Sequence, residues 1–155
     1  MIKKRILIVD DDKAVVESFK AILQLEGYLV ETAENGREAL EKCGAGFFNV
    51  VLLSIELPDM EGTKLLPVIR GIAPQMIKIM VTGHASLENA VESLNQGADA
   101  YLIKPVKPEE LLKVIEEKLK EQEEAGRVSE EKIAEWIERR VKELEQERKT
   151  DPNQP

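Results

Sequence analysis

Short uncharged apolar runs alternate along the chain with longer stretches in which apolar residues recur every three or four positions, the pattern of strands followed by amphipathic helices. The first run, residues 6–9, stops at Asp10, Asp11 and Asp12. Asp12 is placed to cap a helix carrying Val15, Val16, Phe19, Ile22 and Leu23, with Gly27 as its stop. Residues 28–33 read as a weaker strand broken at Asn35-Gly36, and 37–43 as a short helix ended by Gly44 and Gly46. Residues 50–53 form an apolar run with no charge, expected as a central strand buried on both faces. After the polar loop that carries Pro58 and Gly62, residues 64–70 predict a helix closed by Gly71 and Pro74. Residues 76–82 predict a fourth strand. Ser86 then caps a helix through Leu87, Ala90, Val91 and Leu94, ended by Gly97, and residues 98–103 give a fifth strand leading to Lys104-Pro105.

Five strands alternating with helices predict an α/β fold, a parallel sheet with right-handed crossovers and helices on both faces. A five-stranded doubly wound sheet of order 2-1-3-4-5 is a common solution at this size. It sets the carboxyl ends of strands one and three side by side. The next helix is expected from 108 to about 124, with Leu111, Leu112, Ile115 and Leu119 facing the sheet and Gly126 interrupting it. Ser129 begins a second helical pattern with Ile133, Trp136, Ile137, Val141 and Leu144 along one stripe. The expected organisation is therefore a domain over 1–124, an amphipathic C-terminal helix over 125–149 and a disordered polar end over 150–155. The apolar stripe needs a cover, either by docking on the domain or as a homodimer with a second copy.

Composition narrows the function classes. With 155 residues, 43% of them hydrophobic, the chain can bury one full core. Its net charge of −8 argues against nucleic acid as a direct partner, because phosphate-backbone affinity needs clustered Lys and Arg. The one cysteine, Cys43, cannot form an internal disulfide and is expected as a small buried side chain. No apolar stretch approaches 20 residues and no leader pattern is seen, so no membrane association and a cytoplasmic setting are expected.

Candidate chemistry gathers at the carboxyl edge of the sheet, where ligands bind in open α/β folds. Strands one, three, four and five deliver Asp10 and Asp11, Ser54, Thr82 and Lys104 to that edge. Two carboxylates beside a hydroxyl and a lysine suit an oxygen-coordinated Mg²⁺ and a phosphoryl group, since a hard cation takes carboxylate ligands and lysine neutralises phosphate oxygens. His84, the only histidine, reads as a solvated loop residue with no neighbours for a zinc site.

The segments ILIVDDD, VVLLSIELPDMEG, MVTG and GADAYLIKP, in that order and spacing, resemble the receiver domain of two-component response regulators, CheY-like proteins, over residues 5 to about 121. The resemblance implies weak Mg²⁺ binding by Asp10, Asp11 and the backbone carbonyl of Glu56. It places the family's hydroxyl and lysine on Thr82 and Lys104 and its switch aromatic on Tyr101. It also implies a cis Lys104-Pro105 bond. The family's phosphoacceptor is an aspartate, and Ser54 stands in its place. A serine hydroxyl is protonated near neutral pH and needs a positioned base to attack a phosphoryl donor, so ordinary phosphotransfer is expected to fail. The expected function is a stand-alone, non-enzymatic response-regulator receiver module in phosphorelay signalling. It would act through contacts with a sensor histidine kinase or another signalling protein, either as a natural adaptor or as a receiver silenced at Ser54. The alternative is a flavodoxin-like small-molecule binder or a Mg²⁺-dependent phosphohydrolase at the same edge.

Overall fold

The computed structural model describes residues 3–150, so the expected end over 150–155 lies, apart from Thr150, outside the described residues. The chain divides into two compact units, Met1–Leu119 and Lys120–Pro155. The first holds strands β1 (Arg5–Val9), β2 (Leu29–Ala33), β3 (Val50–Ser54), β4 (Ile77–Thr82) and β5 (Ala100–Ile103). Between them lie helices α1 (Lys13–Leu25), α2 (Gly36–Ala45), α3 (Leu65–Ile72) and α4 (Leu87–Asn95), with a 3₁₀ turn, Gly62–Lys64, entering α3. The sheet is parallel throughout, in the order β2-β1-β3-β4-β5. The expected fold class and topology are those observed.

Side chains of the central strands alternate between two cores. On one face Ile6, Ile8, Val50, Leu52, Ile79 and Val81 pack with Phe19 and Leu23 of α1 and with Leu111 and Ile115. On the other Leu7, Val9, Val51, Leu53 and Met80 pack with Ala39 and Cys43 of α2 and with Leu65, Leu66 and Ile69 of α3. Every residue of β3 and β4 is buried, which is why these two runs carry almost no polar side chain before their last position. Cys43 is buried as expected, and burial pushes its thiol pKa up, away from the reactive thiolate.

Helix starts follow the sequence signals closely. Asp12 accepts from the amides of Ala14 and Val15, and Gly27, at φ 91°, provides the left-handed residue after α1. Asp12→Ala is expected to lower stability by about 1 kcal/mol, read by chemical denaturation. Helix ends are less faithful. Helix α2 runs through Gly44 and α3 through Gly71, because an isolated glycine in a helix costs only about 1 kcal/mol and neighbouring packing outweighs it.

Helix α4 turns its large apolar residues outward. Leu87, Val91 and Leu94 are exposed, whereas Ser93 is fully buried and Asn89 and Ala90 are half-buried. Small residues, not the large apolar ones, face inward. Ser93 satisfies its hydroxyl by donating to the carbonyl of Asn89 at 2.7 Å.

Helix α5 spans Pro108–Thr150 without a break at Gly126, correcting the expected interruption there. Glu123, Glu124, Ala125 and Arg127 flank that glycine, all good helix formers, and an Arg127–Glu124 ion pair reaches across it. In the second unit the helix exposes Ile133, Trp136, Ile137, Val141 and Leu144.

Candidate functional site

Strand register assembles the polar edge. Val9 is level with Leu53, Ser54 with Val81, and Thr82 with Ile103. Asp10 and Ser54 therefore leave the sheet at the same height, Thr82 one residue further on and Lys104 two. Asp10, Ser54 and Thr82 are buried, at 4%, 5% and 2% exposure, so each polar atom needs a partner inside the protein.

Those partners define the site. The Lys104 ammonium lies 2.7 Å from Asp10 Oδ2, while Asp10 Oδ1 accepts the Asp12 amide at 2.9 Å. Both carboxylate oxygens of Asp10 are thus engaged. The Asp10 side chain is almost wholly buried and that of Lys104 only a fifth exposed, so removing either charge would leave the other poorly compensated. Ser54 Oγ donates a long hydrogen bond of 3.3 Å to the carbonyl oxygen of Glu56. Asp11 and the Glu56 side chain are exposed. Thr82 Oγ1 accepts the His84 amide at 3.0 Å and so holds the loop after β4. The Lys104-Pro105 bond is cis, as the resemblance implied.

Two residues that the sequence reading did not use tie this edge together. Asn89 accepts from the Tyr101 hydroxyl, donates to the His84 carbonyl at 2.9 Å, and forms a capping box with Ser86. It links the aromatic of β5 to the loop that Thr82 holds. The Ser86-x-x-Asn89 spacing was the available signal. Asp59, at the tip of the loop after β3, accepts from the Gly36 and Arg37 amides at 2.9 and 3.0 Å, clasping the start of α2. The Gly36 amide bond, reinforced by that of Arg37, holds the Asp59 carboxyl below the ordinary aspartate value. Because the folded-state pKa is depressed, the clasp is fully present above the ordinary value and is lost only as pH falls through the lower folded one. The Gly36 and Arg37 amide resonances should therefore keep their folded shifts through the usual carboxylate titration and move only in stronger acid, as followed by NMR.

His84 Nε2 lies 3.8 Å from Glu56 Oε2, an exposed pair on opposite sides of the mouth. Among the described residues no group of three or more His, Cys, Asp or Glu side chains converges as a metal site. A cavity of about 230 Å³ beside β1 and β2 is lined by Asp10, Asp11, Glu17 and Glu34 against Lys13. Its acidic walls repel phosphate-bearing ligands. No helix of the described residues is long and apolar enough to cross a membrane.

A parallel 2-1-3-4-5 sheet that gathers two acids, two hydroxyls and a lysine at its carboxyl edge defines a doubly wound module with its polar site at that edge. The chain belongs to the response regulator receiver domain family, whose model matches residues 6–116. Among curated proteins it is similar to response regulator MprA of Mycolicibacterium vanbaalenii, 39% identical over 108 residues that make up 70% of this chain and 47% of that one. The chain thus spans about half the length of that relative. Among solved structures it is similar to a CheY-like response regulator receiver domain protein from Methanospirillum hungatei, with 58% identity, a TM-score of 0.78 and coverage of 80% of this chain and 99% of that one. A response regulator protein from Burkholderia pseudomallei, solved with a phosphorylated aspartic acid, calcium ion and citrate, is 32% identical with a TM-score of 0.68, over 71% of this chain and 65% of that one.

Proposed function

We propose that this receiver works through contacts with a sensor histidine kinase or another signalling protein, in a cytoplasmic setting, and takes no acyl phosphate at position 54. The observation that carries this reading is the pairing of Lys104 with Asp10 beside a protonated Ser54 hydroxyl. The phosphoacceptor position has no ionised oxygen. The acid best placed to serve as its base has both oxygens occupied, and a hydroxyl without a base is a poor nucleophile. No enzymatic output is proposed, and the net charge of −8 keeps nucleic acid out of the proposal. The acidic lining of the cavity beside β1 disfavours the flavin-type alternative.

Mg²⁺ fits the site in kind. Asp10, Asp11 and the Glu56 carbonyl are hard oxygen donors, the type this cation takes. When bound, it would neutralise charge on phosphoryl oxygens. Lys104 already compensates Asp10, and position 54 adds no carboxylate, so binding is expected to be weak. Calorimetric titration should find affinity well short of submicromolar, and a submicromolar constant would refute this account of the donors.

Incubation with acetyl phosphate and Mg²⁺, followed by intact mass measurement, tests the main reading. The expected result is an unmodified chain. A hydroxylamine-labile adduct, or a stable phosphoserine mapped to Ser54, would overturn it.

A further inference from the structure

The second unit carries a seam that the receiver reading leaves unused. Gly126, Glu130, Ile133, Ile137, Arg140 and Leu144 recur at alternating four- and three-residue spacings, the repeat that keeps one helix face against a partner helix. The seam is continuous because α5 does not break at Gly126. Ile133, Ile137 and Leu144 are about half exposed or more, and so is Trp136 beside them at 61%. A row of apolar side chains at this spacing needs a cover.

The two charged residues within the seam say what the cover is. In a parallel pair of identical helices in register, Glu130 meets Glu130 and Arg140 meets Arg140, two like-charge contacts on the seam. Running antiparallel about a two-fold axis beside Glu135, the same helices place Ile133 on the second copy's Ile137 and Glu130 on its Arg140. Leu144, the largest seam residue at its end, then lies on the second copy's Gly126, which has no side chain. Trp136 comes beside its own counterpart. Sliding this arrangement by one repeat puts Arg140 on Ile137 and Glu130 on Glu147 in one direction, and Arg140 on Glu123 but Glu130 on Ile133 in the other, so Glu130 loses its partner either way. One orientation and one register satisfy every seam position.

We infer that residues 126–144 of α5 form an antiparallel two-helix interface with a second copy of this chain, centred at Glu135 and registered by Glu130–Arg140 pairs. In the single chain Arg140 makes an exposed pair with Glu143 at 3.0 Å on its own helix, a contact of little energetic weight. Pairing between copies adds an opposite charge on the seam without moving the helix backbone. Buried or rim charges of this kind fix register and orientation more than they add affinity.

Sedimentation equilibrium of the full chain and of three variants, Glu130→Arg, Arg140→Glu and the double reversal, tests the interface. None of these exposed positions supports the core of the first unit. The expected result is a dimer that each single reversal weakens by about tenfold or more, because each brings like charges together twice per dimer, and that the double reversal restores. A monomeric parent, a dimer indifferent to all three variants, or singly weakened dimers that the double reversal fails to rescue would each overturn the inference.

Discussion

Ser54→Asp is expected to turn a chain that takes no phosphoryl group into one that does, forming an acyl phosphate from acetyl phosphate in a Mg²⁺-dependent manner. The substitution supplies an ionised oxygen at the end of β3, at the height of Asp10, with Thr82 one residue and Lys104 two residues further along the sheet edge. It also adds a third carboxylate to the two already at the edge, which should tighten Mg²⁺ binding. Lys104, now fixed on Asp10 at 2.7 Å, gains a second acid to share. Phosphoryl transfer depends mainly on positioning and on compensation of developing charge, and these groups are in place for both. The adduct should be labile to alkali and hydroxylamine, and the parent should give none under the same conditions. A Ser54→Asp protein that folds and binds Mg²⁺ yet stays unlabelled would show that the edge has diverged beyond its nucleophile. That result would favour a natural adaptor over a silenced receiver.

Gly62→Ala is expected to be among the most damaging single-methyl changes in the first unit. A Cβ at Gly62 would fall 1.9 Å from the Ser54 carbonyl oxygen, 2.9 Å from its carbon and 3.2 Å from Ile55 Cα. All three atoms are backbone at the end of the central strand, and none can rotate away as a side chain would. The strand or the turn into α3 must move, at about 3 kcal/mol, which for a unit of this size lowers the melting temperature by about 10 °C. Gly71→Ala is the control. Its Cβ meets nothing within 4 Å, and it lies inside α3, where alanine is the better helix former, so stability should hold or rise. Equal melting temperatures for Gly62→Ala and the parent would show that the loop after β3 is held less tightly than these contacts require.

What the sequence revealed and what it hid divide along physical lines. Buried strands announce themselves as uncharged runs, and five of them between helical stretches left few topologies open, so the sheet order could be read in advance. Asp12, Gly27 and Ser86 marked helix boundaries because capping is chemistry local to a few residues. Asp10, Ser54, Thr82 and Lys104 could be placed at one edge because each directly follows or ends a strand. Which polar atom each would contact was not legible, since that depends on distances across strands. Lys104 on Asp10, Asp59 on the amides of α2, and Asn89 between Tyr101 and His84 are long-range or loop contacts of this kind. The facing of helix α4 was illegible for a different reason. Periodicity identifies an apolar face but not whether that face turns inward, and Asn89 and Ser93, both hydrogen-bonded, occupy the inward one. Gly126 misled because glycine lowers helix stability without forbidding the helix.

The bond between Lys104 and Asp10 joins positions 94 apart in the chain, nearly the full span of the first unit. Lys104 hangs from β5, which pairs only with β4; β4 pairs with β3, and β3 with β1, which carries Asp10. Contacts of such high sequence separation bear the largest loop-closure entropy and form only once the intervening strands have docked. The ion pair therefore depends on the docking of four strands, β1, β3, β4 and β5. Any opening that peels β5 from β4 separates Lys104 from Asp10 as it uncovers Leu102.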